Sequence, residues 1–262
     1  MKSRGKKDRK STSWGSVADW YEDHLKDSGT YHETVIAPNL IRMLGALNGV
    51  RVIDIGCGEG FISRQIVAQG ASVVGVDIAE ELILRAREHG GATYYVASAE
   101  DLRMLAEPLF DVALCVLAIQ NIKDIHAAFS EAARILAKEG KLYLVMNHPC
   151  FRIPKRSSWG FDEAGYVQYR RLDGYLSSTG SRIDMTPGIK RKDEKKYTMS
   201  FHRSLGVYIQ ALKEAGFVIS HIEEWISDRK SQQGPRAKAD DRARMEFPLF
   251  LAIEATKRDN SK

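Results

Sequence analysis

Between Val50 and Glu81 the chain sets three glycines and two acids where they could act together. Asp54 ends an apolar run, Gly56, Gly58 and Gly60 alternate with Cys57 and Glu59, and Asp77 follows a second apolar run, Ala71 to Val76. Glycines at this spacing let the backbone pass close to a bound molecule, and an acid at this distance is placed to meet ribose hydroxyls. The chemistry implied is recognition of a nucleoside cofactor. For these residues to converge, Val50 to Ile55 must be a strand, the glycines a tight turn, the next residues a helix, and Ala71 to Val76 a parallel strand reached by that crossover.

The glycine spacing selects among cofactors. A dinucleotide fingerprint needs a third glycine three residues after the second, where the pyrophosphate approaches a helix start, and this chain has Phe61 there. A nicotinamide-dependent oxidoreductase is therefore the weaker reading. The run D-x-G-x-G-x-G resembles motif I of the class I methyltransferases that bind S-adenosylmethionine, in particular the type 11 and type 25 small-molecule group. The resemblance implies that Asp54, Gly56, Cys57 and Gly58 meet the cofactor's methionine end, and that Asp77 and Ile78 meet its sugar and base. A glycine-rich turn in another α/β protein is the alternative.

The elements that must hold these residues can be read outward from the turn. Trp14 to Lys26 has an amphipathic helical pattern, and Thr30 to about Leu44 a second one with Pro38 as a kink or restart. These resemble the entry helices of the family, which makes Tyr21 and Tyr31 candidates for contacting the cofactor or for packing at a helix interface. A helix from Ala79 to Glu88 leads to a strand, Thr93 to Ala97. The following "SAEDL" resembles the segment that meets adenine, which nominates Ser98, Ala99 and Glu100. Ser98 stands where an Asp is common, so Glu100 takes a larger share of the polar recognition. Asp111 to Ile119 is apolar enough for a strand buried on both faces, and Leu117 to Asn121 at its end, with Leu117 and Ala118 as the nominated contacts, would face the methionine portion and the transferring methyl group. This segment, "LAIQN", lacks the D/N-P-P-Y/F of enzymes that methylate exocyclic amines.

A helix Ile125 to Ala137, stopped at Gly140, precedes a fifth strand, Lys141 to Asn147. Residues 148–200 then show aromatics among basic side chains with little periodicity, as expected of a lid over the substrate side. A helix Ser204 to Gly216, a strand Val218 to Trp225, a basic loop and a strand Pro248 to Thr256 close the chain, the last two strands pairing antiparallel without a helix between them. The expected fold class is α/β: a seven-stranded, mostly parallel, doubly wound sheet with an antiparallel last strand, an N-terminal helical cap (14–49) and a lid insertion after strand five (about 148–200). Residues 1–12 are expected to be a disordered basic tail and residues 13–262 one domain.

Methyl transfer mainly requires alignment and exclusion of water, and a base only when the acceptor must lose a proton. His148, at the start of the lid, is the candidate base; its alternative is to hydrogen-bond the lid's first turn. Cys150 is the weaker candidate, as a nucleophilic thiolate. Three cysteines, Cys57, Cys115 and Cys150, are too few and too scattered for a disulfide framework or structural metal, and no metal is expected.

The net charge of +5 belongs to the first ten residues, six Lys/Arg against one Asp, which leaves 33 basic and 33 acidic residues in the remainder. Within that neutral remainder Pro149 to Met199 carries eleven Lys/Arg against six Asp/Glu, so an anionic acceptor would meet this segment first. The expected partner is a small-molecule methyl acceptor, planar or anionic. Nucleic acid or protein is the alternative, read from the basic tail and loops. No apolar run approaches the roughly 18 residues of a membrane span, and a cytoplasmic location is expected.

Overall fold

The computed structural model describes residues 14–17, 29–105, 109–186, 191 and 195–258. Five strands alternate with helices: Arg51–Ile55 (β1), Ser72–Asp77 (β2), Thr93–Val96 (β3), Phe110–Val116 (β4) and Leu136–Asn147 (β5). Four more lie in the insertion, Ser157–Asp162 (β6), Val167–Leu172 (β7), Thr179–Asp184 (β8) and Tyr197–His202 (β9), and Phe217–Trp225 (β10) and Phe250–Lys257 (β11) end the chain. The main sheet has seven strands in the order β10-β11-β5-β4-β1-β2-β3, with β11 antiparallel to both its neighbours. This is the doubly wound sheet with a reversed last strand that the pattern predicts.

The helices are Ala37–Leu44 (α1), Phe61–Val67 (α2), Glu80–His89 (α3), Ile125–Ile135 (α4), Leu205–Glu214 (α5) and Ala237–Glu246 (α6). Strand alternation divides the core into two layers. Ile53 and Ile55 point to the face covered by α4 and α5, where Phe129, Ala132, Tyr208 and Leu212 are buried. Val52 points the other way, to Leu40, Ile62 and Ile66 of α1 and α2. Each fully buried Leu, Ile or Phe contributes about 1.5–3 kcal/mol, so the sheet is stabilised from both sides. Asp124 caps α4, its carboxylate accepting from Ala127 N–H at 3.0 Å.

Four sequence expectations are corrected. Gly140 does not stop a helix: α4 ends at Ile135 because Leu136, fully buried, already pairs with Phe110 of β4. Residues 137–140 then form an irregularity within β5, with Glu139 at φ 57°. The insertion is not irregular, since β6–β7 and β8–β9 are antiparallel hairpins. Between β10 and β11 the expected loop contains α6, which buries only Ala239 and Ala243, too small a stripe to register as amphipathic. At the amino end, Gly15–Val17 is a 3-10 turn rather than a helical start, and the rest of the expected Trp14 to Lys26 helix, with Tyr21 and the basic tail, lies outside the described residues. Pro38 sits inside one helical run: a π turn, His32–Ile36, widens the chain just ahead of a residue that lacks an N–H.

Candidate cofactor cleft

The carboxyl ends of β1, β2 and β4 meet at the glycine turn. Gly56, Gly58 and Gly60 have φ of 75°, 58° and 84°, which a side chain would strain. Gly56 and Cys57 donate their N–H groups to Val76 O at 2.7 and 3.0 Å, which locks the turn to β2. A Cβ on Gly56 would lie 2.4 Å from Ala118 Cβ, so glycine is also required by the close approach of the segment after β4. Glu59, 3% exposed, pairs with Arg64 at 3.0 Å and His89 at 2.7 Å, tying the turn to α2 and α3.

Asp77 is fastened to the same turn. Its Oδ2 accepts from Gly58 N–H at 3.0 Å and its Oδ1 from Ala79 N–H at 2.8 Å. Burial raises its pKa and these backbone donors partly offset the shift. Each carboxylate oxygen keeps a further lone pair for a hydroxyl donor. The carboxylate lines a cleft of about 370 Å³ together with Gly56, Gly58, Ile78, Ser98 and Glu100.

The remaining walls come from several elements. Leu117 and Ala118 line the cleft after β4, and Leu117 has a left-handed φ of 51°, an uncommon conformation that the carbonyl's acceptance from Gln120 and Asn121 side chains, at 2.7 and 3.2 Å, helps to hold. Ala99 lines it beside Ser98, whose Oγ accepts from Glu100 N–H at 3.2 Å. Glu100 reaches across to accept from Asp124 N–H at 2.8 Å. Met199 and Phe201 of β9 also line the cleft. Apolar side chains dominate the lining and a few polar groups, Asp77, Ser98 and Glu100 among them, interrupt it, which suits a nucleoside ligand.

Residues 53–144 match the methyltransferase domain family. A solved S-adenosylmethionine-dependent methyltransferase from Mesorhizobium loti is 28% identical, with 87% of this chain and all of that one covered at a TM-score of 0.66. This is a class I S-adenosylmethionine-dependent methyltransferase fold. The glycopeptide N-methyltransferase MtfA, solved with S-adenosylmethionine, is 10% identical, covers 98% of this chain and 99% of its own, and shares the methyltransferase fold at a TM-score of 0.57. Among curated proteins, the ubiquinone biosynthesis O-methyltransferase of Xanthomonas oryzae pv. oryzae is 38% identical over 103 residues, 37% of this chain and 43% of that protein. The chain thus spans less than half the length of that relative.

Within this methyltransferase fold the structure sorts the sequence candidates. Gly56, Gly58, Asp77, Ile78, Ser98, Ala99, Glu100, Leu117 and Ala118 line one cleft. Asp54 and Cys57 flank a small adjoining cavity with His32, joined to the cleft at Gly56. Asp54 is 1% exposed and accepts from Ser63 Oγ at 2.6 Å; burial pushes its pKa up to about 6. Burial likewise pushes the Cys57 thiol well up, which keeps it protonated.

Tyr31 is elsewhere. Its hydroxyl meets Ser227 Oγ at 2.9 Å and its ring packs edge-on to Phe250, outside the cleft lining. His148 also stands apart from the cleft lining. Its Nδ1 accepts from Cys150 N–H at 3.2 Å, which places the ring proton on Nε2, facing Glu224 Oε1 at 2.7 Å. Both ring nitrogens are engaged and burial lowers the pKa, an arrangement that matches the alternative expectation, hydrogen bonding at the lid's first turn. Cys150 faces the Tyr175 hydroxyl at 3.4 Å. Sequence reading missed Trp14, Met199 and Phe201 as cleft residues, whereas Asn121 lines the cleft at the end of the segment expected to face the cofactor; for Met199 and Phe201 the signal was their i, i+2 spacing, which sets both on one face of a strand.

Proposed function

We propose that this chain transfers the methyl group of S-adenosylmethionine to an oxygen of a small molecule. The observation that carries this reading is Asp77, hydrogen-bonded to the glycine turn and lining a largely apolar cleft. Oxygen as the accepting atom is supported by the O-methyltransferase relatives. The residues fit the cofactor: Asp77 would accept from the ribose hydroxyls, Ile78 and Ala99 would flank the base, and Gly56 with Leu117 and Ala118 would bound the methionine end. Bound there, the cofactor supplies an electrophilic methyl group on a sulfonium.

The chain's own contribution is positional. Leu117, Ile122, Met199 and Phe201 exclude water around the reacting end, and the close Gly56–Ala118 approach limits how the tail can lie. Such alignment can supply about 7–11 kcal/mol of the barrier. Asp54, at the adjoining cavity, favours the cationic end electrostatically when ionised. The acceptor's hydroxyl proton would pass to solvent water at the open side of the cleft.

Isothermal titration with S-adenosylmethionine tests the cofactor part: wild-type protein binds saturably and Asp77→Ala weakens binding by about 100-fold while circular dichroism is unchanged. Radiolabelled methyl transfer to a panel of phenols and other hydroxylated metabolites tests the acceptor part. Cofactor binding with transfer only to RNA or protein would overturn the small-molecule reading.

A further inference from the structure

A second cavity, about 250 Å³, lies between the β6–β7 hairpin and the segment entering β11, and it shares no lining residue with the cofactor cleft. Trp159, Phe151 and Phe247 wall it. The Trp159 and Phe151 rings stand edge-on to Phe247 with centroids 5.4 and 5.5 Å away. Arg152, Arg170 and Arg244 also line it, and no carboxylate does.

Elsewhere, Arg87 and Arg203 are held by carbonyl oxygens, but several exposed arginines are paired with carboxylates. Arg42, Arg51 and Arg103 are neutralised by Glu223, Asp111 and Asp101. Arg170 is held instead by neutral acceptors, Phe151 O at 2.9 Å and Ser157 Oγ at 2.8 Å, with its guanidinium 4.9 Å from the Trp159 ring. Arg244 bonds Ser231 Oγ at 3.3 Å. The Arg152 guanidinium makes no hydrogen bond to any described residue and lies 6.0 Å from the Phe250 ring. Burial, and then the Arg170 charge, lower the Arg152 pKa, and burial lowers that of Arg170. Like charges held together and partly desolvated cost energy that a bound anion offsets, and guanidinium donors match the two oxygens of a carboxylate.

We propose that this cavity is a binding site for a planar aromatic carboxylate, its anion on Arg152 and Arg170 and its ring against Trp159 and Phe247. Arginine supplies the charge selectivity, and the edge-on Trp159–Phe247 contact supplies an apolar corner against which a flat ring can lie. The site does not depend on the methyltransferase reading, because its ligand is recognised outside the cleft.

Benzoate is the probe, titrated into the chain by calorimetry and by tryptophan fluorescence, with the Trp159→Leu variant identifying the Trp159 part of the signal. Benzoate is expected to bind, with benzyl alcohol and inorganic phosphate each weaker by about tenfold or more. Arg152→Gln is expected to weaken benzoate by about tenfold or more, with its thermal midpoint and S-adenosylmethionine affinity unchanged; Arg152→Lys recovers part of the loss. Trp159→Leu, on the exposed hairpin, is the second variant and must also weaken benzoate. No binding of benzoate up to about 10 mM, equal binding of phosphate, or undiminished binding in either variant overturns the proposal. Loss of cofactor binding by the wild-type chain would instead overturn the functional reading alone.

Discussion

Asp54 and Asp77 end neighbouring strands, yet their surroundings give them different tasks. Asp77 is fixed by two backbone donors and open to the cleft, whereas Asp54 is enclosed and has Ser63 as its side-chain partner. With a folded pKa of about 6 against an ordinary 3.8, Asp54 binds its proton more tightly in the folded chain. Its contribution to stability is therefore present at low pH and is lost as pH rises from about 4 to about 6. Asp54→Asn removes that loss: relative to the variant, wild-type protein should fall by about 3 kcal/mol between pH 4 and pH 7 in urea unfolding. Asp77, the charge facing Asp54, titrates in both proteins, and a pH-independent difference between them would contradict the assignment. His148 gives the second test at this scale. His148→Ala should lower stability by about 2 kcal/mol through the unpaired Cys150 N–H and lost Phe151 packing, yet leave the pH profile of kcat unshifted.

At the scale of elements, the turn after β1 was legible because its requirements are local. Asp54, the three glycines and Asp77 have places set by strand ends and by φ: Gly56, Gly58 and Asp77 line one cleft, and Asp54 lies at the cavity beside it. Gly56→Ala tests this against a control. At Gly56 a methyl group meets Ala118 in a left-handed turn, while at Gly49, also at φ 75°, it meets nothing within 4 Å. Gly49→Ala should cost about 1 kcal/mol and Gly56→Ala about 2–4 kcal/mol, with cofactor affinity reduced only in the latter, as denaturant titration and calorimetry would show. The hairpins of the insertion were less legible. Gly160 is opposite Tyr169, whose ring covers it, and such cross-strand pairing leaves no trace in one strand's own alternation. Helix α6 was missed for a related reason: two alanines are enough to dock a helix once its partner is present, and too few to mark one beforehand.

At the scale of the whole molecule, the cleft joins the parallel sheet to the insertion through Met199 and Phe201. A cofactor bound there links parts of the chain far apart in sequence. At about 100 times its Kd it adds about 2.7 kcal/mol, which for a chain of this size raises the thermal midpoint by roughly 5–10 °C. Differential scanning fluorimetry should show this rise with S-adenosylmethionine and none with NAD. Hydrogen exchange should slow in β9 along with the glycine turn, and protection confined to the turn would show that the hairpin does not cover the bound molecule.

Taken alone, the order of residues determined the sheet, the turn and the acid of β2, because each is written in periodicity, in glycine's unique backbone range or in a spacing set by one crossover. Tertiary structure decided what His148 and Tyr31 are for, which strand covers the cleft, and that three arginines gather around an aromatic cavity. Those outcomes depend on contacts between segments as far apart as His148 and Glu224, or Tyr31 and Ser227. The side chain's partner, rather than its type, then sets whether a nitrogen or hydroxyl is available to a ligand, and the partner is chosen only when the layers pack.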